Sequence, residues 1–377
     1  MRFLLCLINY RLNTEVIMNS KKGLLFTGLG IGVIAVLLVY FGNPKNMGFC
    51  IACFIRDTAG ALGLHQAAMV QYIRPEVIGL VLGAMIVALL GKEFLPRGGS
   101  SPATRFVLGV CVAITALVFL GCPLRMILRI GGGDLNAVVG LVGFVAGIGG
   151  GVCFLKRGYS LKRTYSLPKL EGGWLPAIQI LLLILLIAAP AFIYFSAEGP
   201  GSLHAPLLIA LAAGLIVGGL AQRTRLCTVG GIRDLILLKD WTLLMGFVGI
   251  LLAAIVGNIA FGWFKVSFSG QPVAHTDGLW NFLSLAAVGL GSVLLGGCPL
   301  RQLILSGEGN SDSAITVVGF LVGAALAHNF KLASAATTVK DGVVSGGPTI
   351  GGKVATIAIL ALMLIIAIAN TKKEQEA

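Results

Sequence analysis

The chain has 377 residues, of which 57% are hydrophobic and only 11% charged, with a formal net charge of +13. Soluble domains carry about 25% charged residues, so a water-soluble globular enzyme is excluded. The basic residues sit between apolar runs rather than in one stripe interleaved with aromatics. That excludes a nucleic-acid surface and assigns the positive excess to membrane topology.

In chain order, residues 1–22 read as an N-terminal extension holding Cys6, with Met18 before Asn19-Ser20-Lys21-Lys22 as an alternative start. The first apolar run has no small-residue cleavage pattern and is expected to stay as a spanning helix. Apolar runs of about 18 residues or more then recur along the chain, the mark of a polytopic helical membrane protein. They predict spanning helices at 23–41, 74–91, 104–121, 134–155, 174–196, 204–222, 241–264, 279–296, 311–329 and 351–370. The expected organisation is a first membrane repeat at 23–155, a basic loop and linking span at 156–203, a second repeat at 204–329, and a loop and C-terminal span at 330–377.

Internal repetition supports that division. Gly-Cys-Pro-Leu-Arg occurs at Gly121–Arg125 and again at Gly297–Arg301, an offset of 176. Cys50-Ile-Ala-Cys53-Phe-Ile-Arg56-Asp57 matches Cys227-Thr-Val-Gly230-Gly-Ile-Arg233-Asp234 at an offset of 177, and Gly143-Phe144 matches Gly319-Phe320 at 176. A period this long suits a transporter half rather than a solenoid. Each half holds four spans, and the cysteine stretches are too short to cross as full helices. With one linking span between the halves, the second half begins after an odd number of crossings, so the halves are expected to be inverted. Lys156, Arg157, Lys162, Arg163 and Lys169 place the 156–173 loop in the cytoplasm. Lys21 and Lys22, and Lys372 and Lys373 at the other end, fall on the same side, so both termini are expected there. The Cys50 and Cys122 segments then enter from outside, and those of Cys227 and Cys298 from the cytoplasm.

The motif has clear chemistry. Proline is pre-organised for a first helical position and pushes the residue before it out of helical geometry, so Cys122 and Cys298 are expected at helix N-caps. Free N–H groups at a helix start favour anions, and Arg125 and Arg301 lie one turn in. A polarisable thiol suits a ligand exposing sulfur or selenium. Cys111, Cys153 and Cys6 read as small buried hydrophobes. Arg56-Asp57 and Arg233-Asp234 read as self-neutralising pairs, with Arg56 and Arg233 as secondary anion candidates. Cys53 is a further secondary candidate, as a redox partner of Cys50. With no second pair or histidine cluster, it makes a poor zinc site. No metal and no cofactor is expected. Gly131–Asp134 and Gly307–Asn310 read as a repeated turn, and Glu76 as an acid suited to a helix start. His65, His204, His275 and His328 do not cluster in sequence. Outside the Arg–Asp pairs no membrane-embedded carboxylate stands out, and there is no nucleotide-binding signature.

On both Gly-Cys-Pro-Leu-Arg copies and the repeated layout from about residue 23, the chain resembles the YeeE/YedE family of bacterial inner-membrane proteins. The stretch from Cys298 through Ser306-Gly-Glu308-Gly-Asn310 to Asp312 looks most like the YedE branch linked to selenium metabolism. The resemblance implies a multi-pass protein of the cytoplasmic membrane that imports a thiosulfate-like or selenium-containing anion. The family's line of cysteines falls on Cys50, Cys122, Cys227 and Cys298, and Cys53 departs from the second half's pattern. The expected partners are the anion, the lipid bilayer and a cytoplasmic sulfur-carrier or selenium-handling protein. The alternative is a membrane sulfur or selenium transferase that holds the chalcogen on cysteine; a non-transporting scaffold or receptor is a third reading.

Overall fold

The computed structural model describes Met18, residues 20–340 and residues 343–371. Cys6, the rest of the proposed extension up to residue 17, and Lys372 and Lys373 lie outside the described residues. The first repeat runs α1 (Lys21–Tyr40), short α2 (Ile51–Ala61), α3 (Pro75–Gly91), α4 (Pro102–Phe119), short α5 (Pro123–Gly131) and α6 (Leu135–Lys156). Helix α7 (Lys169–Ala188) links the halves. The second repeat has the same order: α8 (Leu207–Thr224), short α9 (Thr228–Leu238), α10 (Thr242–Ala260), α11 (Gly278–Leu295), short α12 (Pro299–Gly307) and α13 (Ser311–Asn329). Helix α14 (Ile350–Ala369) follows.

Among the described residues, nine helical stretches are long and apolar enough to cross a membrane, and α3 is a shorter apolar helix. Phe26, Leu90, Ile187, Leu208 and Ile365 are all more than half exposed. Such an apolar skin would be an aggregation hazard in water and is the ordinary surface of a protein in lipid. The chain is an all-α multi-pass membrane protein.

The predicted spans are found with end shifts of a few residues, except the link. It starts earlier than expected, at Lys169, and stops at Ala188 rather than 196. Ala189 takes a left-handed φ of 42° and Pro190 follows, so the helix cannot continue. Two minor features were not expected. Arg97–Gly98 (β1) pairs antiparallel with Tyr165–Ser166 (β2), and Ala335–Lys340 (β3) with Val343–Gly347 (β4).

Four helix pairs build the core, and each joins one repeat to the other: α1 with α10, α3 with α8, α4 with α13, and α6 with α11. The first span of either repeat therefore packs on the second span of the other, and the third on the fourth. Such reciprocal pairing is what a two-fold relation between similar halves requires. Within each pair the helices run parallel, since contacts advance together: Gly28 meets Gly246 and Gly32 meets Ile250, while Gly143 meets Phe282 and Gly147 meets Ala286. A Cβ at Gly143 or Gly147 would collide with the Phe282 or Ala286 carbonyl oxygen, so glycine is needed for this approach. It is the small-residue contact by which helices associate in lipid.

The hand of the two halves follows from Asn43, just past the end of α1. Its Nδ2 donates to Gly48 O at 2.9 Å and to Glu76 Oε1 at 2.8 Å, and its Oδ1 accepts from Ala205 N at 2.8 Å. The end of α1 thus meets the start of α3 and the start of α8. The first span of one repeat is antiparallel to the first span of the other, and the halves are inverted.

Candidate functional site

All four cysteines picked out by the repeat sit at the N-caps of the four short helices: Cys50 on α2, Cys122 on α5, Cys227 on α9 and Cys298 on α12. Pro123 and Pro299 occupy the first position of α5 and α12. The cap on α2 and α9 is made by sulfur itself. Cys53 N donates to Cys50 Sγ at 3.4 Å, and Gly230 N to Cys227 Sγ at 3.3 Å. The equivalence of Cys53 and Gly230 is therefore one of backbone: either residue supplies the capping N–H.

These four thiols gather into two pairs, one per repeat, and in the first Cys53 joins as a third sulfur in contact with Cys50. Cys227 Sγ lies 3.8 Å from Cys298 Sγ, and Cys50 is in side-chain contact with Cys122. Two helix starts converge on one sulfur in each pair. Cys122 faces the backbone N–H groups of Arg125 on its own helix and Ala52 on α2. Cys298 faces those of Arg301 on its own helix and Thr228 on α9. All four cysteines are buried, with no more than 6% of any one exposed. Buried thiols beside helix N-termini favour a small anion with a soft, polarisable end.

The short helices of the two halves meet. Helix α12 touches α2, and α9 touches α5. Ala52 and Ile55 of α2, Ala113 and Ala116 of α4, and Pro299 next to Cys298 line one small cavity between the halves.

The arginines are placed differently from one another. Arg125 is fully buried and surrounded by acceptors. Its Nε donates to Asn46 O at 3.0 Å, one terminal nitrogen to Leu120 O and to Cys53 Sγ (3.4 Å), and the other to Val273 O at 2.9 Å. Its N–H groups hold the loops around the first cysteine pair, and what it gives the pair is its charge. Arg301 instead meets Glu308 Oε1 at 3.1 Å. Arg56 and Asp57 pair as expected, at 2.6 Å, as do Arg233 and Asp234, at 2.7 Å. The first pair is not self-contained, however. Arg74 reaches Asp57 Oδ2 at 2.7 Å and also bonds Leu203 O and Pro200 O, so one aspartate serves two buried guanidinium groups.

Sequence reasoning passed over several residues that matter here. Arg74 stands directly before Pro75 and reads as a flanking charge. The expectation that no further carboxylate lies in the membrane is corrected. Asp134 is buried and pairs with Arg129 at 2.7 Å, Glu308 pairs with Arg301, and Glu76 is buried with its Oε2 unpartnered. Glu76 does begin a helix, as expected, in the first turn of α3. Of the histidines, His65 stacks on His328, with ring centres 4.6 Å apart, and His204 on Tyr72 at 4.0 Å. Neither stack touches the cysteine pairs. Cys111 is buried inside α4 as expected, whereas the buried reading of Cys153 is corrected: it is exposed on the outer face of α6. Among the described residues, no group of three or more His, Cys, Asp or Glu is placed to hold a metal ion.

A family model described as sulphur transport matches residues 223–377. The match takes in Cys227, Cys298, Arg301 and the whole of the second repeat's site. No curated protein matches the chain.

Proposed function

We propose that the protein imports a small sulfur- or selenium-containing anion across the bacterial cytoplasmic membrane, handing it from Cys50 and Cys122 to Cys298 and Cys227. One observation carries this reading. Two similar pairs of thiols, each at converging helix N-termini, belong to repeats of opposite orientation, and a small cavity between the halves is lined by their sequence neighbours Ala52 and Pro299. Inverted repeats with broken helices are how transporters present one site to two faces alternately. The match to a sulphur-transport model over the second repeat supports the substrate class.

In this reading the thiols donate weak S–H hydrogen bonds to the anion's soft terminal atom. The backbone N–H groups of α5 and α12 then receive its oxygens. A series of modest sites lets an ion pass without being trapped. The basic 156–173 loop supports a cytoplasmic side for both termini, where a sulfur-carrier or selenium-handling protein would take the product.

A transferase forming a persulfide or selenosulfide on cysteine would use similar thiols. Two inverted, equivalent pairs favour transport, since one nucleophile is enough for transfer. The test is uptake of radiolabelled thiosulfate and of selenium oxyanions into vesicles holding the purified protein, with intact-mass measurement alongside. Transport predicts flux of at least one anion and no stable adduct. A covalent adduct without flux would overturn it in favour of the enzyme.

A further inference from the structure

The two cysteine pairs share geometry but not charge. Among the described residues, Arg125, beside the first pair, has no carboxylate within ion-pair distance; its partners are three backbone carbonyls and Cys53 Sγ. Arginine stays protonated even when buried, so this is a whole positive charge with no counter-ion. Asp134 does not neutralise it, because its carboxylate is already paired with Arg129. The Asp57 site does not neutralise it either, since there two guanidinium groups share one carboxylate. Beside the second pair, Arg301 is closed by Glu308 at 3.1 Å, both residues being 8% exposed, and Arg233 is closed by Asp234.

The difference is built into the backbone. The repeat offset of 176 places Glu308 opposite Gly132. A Cβ at Gly132 would collide with the Asn46 side-chain oxygen, so a carboxylate there would have to displace Asn46. Asn46 in turn gives its carbonyl to Arg125. Among buried groups, the first repeat carries Arg56, Arg74, Arg125 and Arg129 against Asp57, Glu76 and Asp134. The second repeat's cysteine helices carry their arginines one for one with acids.

We propose that the two cysteine pairs are unequal anion sites: the first, around Arg125, binds tightly, and the second, muted by Glu308, binds weakly and releases. This rests on the transport reading above and adds a direction to it. An anion held at Cys50 and Cys122 by an uncompensated charge moves to a site of similar shape whose charge is already spent. A charge a few ångströms away in a dry site changes anion affinity by on the order of tenfold or more. Glu308 is therefore the specificity element of the second site, although it touches no cysteine.

The test is equilibrium binding of radiolabelled thiosulfate, and in a parallel series of selenosulfate, to the full-length protein in lipid nanodiscs. The wild type should show two affinities. Glu308→Gln, which keeps the side-chain shape, should tighten the weaker phase about tenfold and leave the tighter one unchanged. Arg125→Gln should remove the tighter phase. Should that variant fail to fold, Cys122→Ser and Cys298→Ser assign the phases, the tight one falling with Cys122. A single affinity that Glu308→Gln leaves unchanged would overturn the proposal, as would tightening of the stronger phase. Binding of neither anion would overturn the transport reading itself.

Discussion

The same Arg-Asp dipeptide has two different fates in the two repeats. In the first, Arg56 and Asp57 are buried to within a few per cent, and Arg74 joins them from the start of α3. In the second, Arg233 and Asp234 pair at nearly the same distance, but their side chains are 28% and 15% exposed, and among the described residues no third charge joins them. Duplication preserved the local motif and left its surroundings free to diverge. The first copy became a strut: Arg74 ties α2 through Asp57 to the carbonyls of Pro200 and Leu203, just before α8. The second stayed a partly exposed pair on α9.

That contrast can be broken most severely at Asp57. Asp57→Ala leaves Arg56 and Arg74 facing each other in a dry site. Removing one member of a buried charge network costs about 3–5 kcal/mol. Thermal unfolding in detergent should show a large fall in midpoint, and little of the variant should survive as a monodisperse species. A smaller effect is expected at Asn43, whose clamp on Gly48, Glu76 and Ala205 has no copy in the second repeat. Asn43→Ala strips the Glu76 carboxylate of its hydrogen bond, at a cost of about 1–3 kcal/mol. The same unfolding measurement should place it between wild type and Asp57→Ala. The least effect belongs to Asp234→Ala. A half-hydrated pair contributes about 0–1 kcal/mol, so its midpoint should lie close to wild type. Equal losses for Asp57→Ala and Asp234→Ala would erase the distinction between the copies.

How much of this could be read from sequence divides along physical lines. The duplication, the ten spans and the helix starts at Cys122 and Cys298 were legible because proline and hydrophobic runs act locally. Inversion was legible from parity and loop charge, and Asn43 bears it out by joining the end of α1 to the start of α8. Partners brought from afar were not legible. Arg74 sits seventeen positions from Asp57 on another helix. Arg125 spends its N–H groups on backbone carbonyls, which no residue type announces. Glu308 hid inside a glycine-rich turn. Its role as a counter-ion appears only when α12 brings it back over Arg301. The end of α7 was misplaced because hydrophobicity continues past Pro190 while the backbone does not.

The central claim is that the anion travels along both cysteine pairs, and flux through single-cysteine variants tests it most directly. Cys122→Ala and Cys298→Ala, each reconstituted into vesicles at matched protein content, should lose uptake of the anion that the wild type carries. Undiminished uptake in both variants would contradict the account and remove the cysteines from the path.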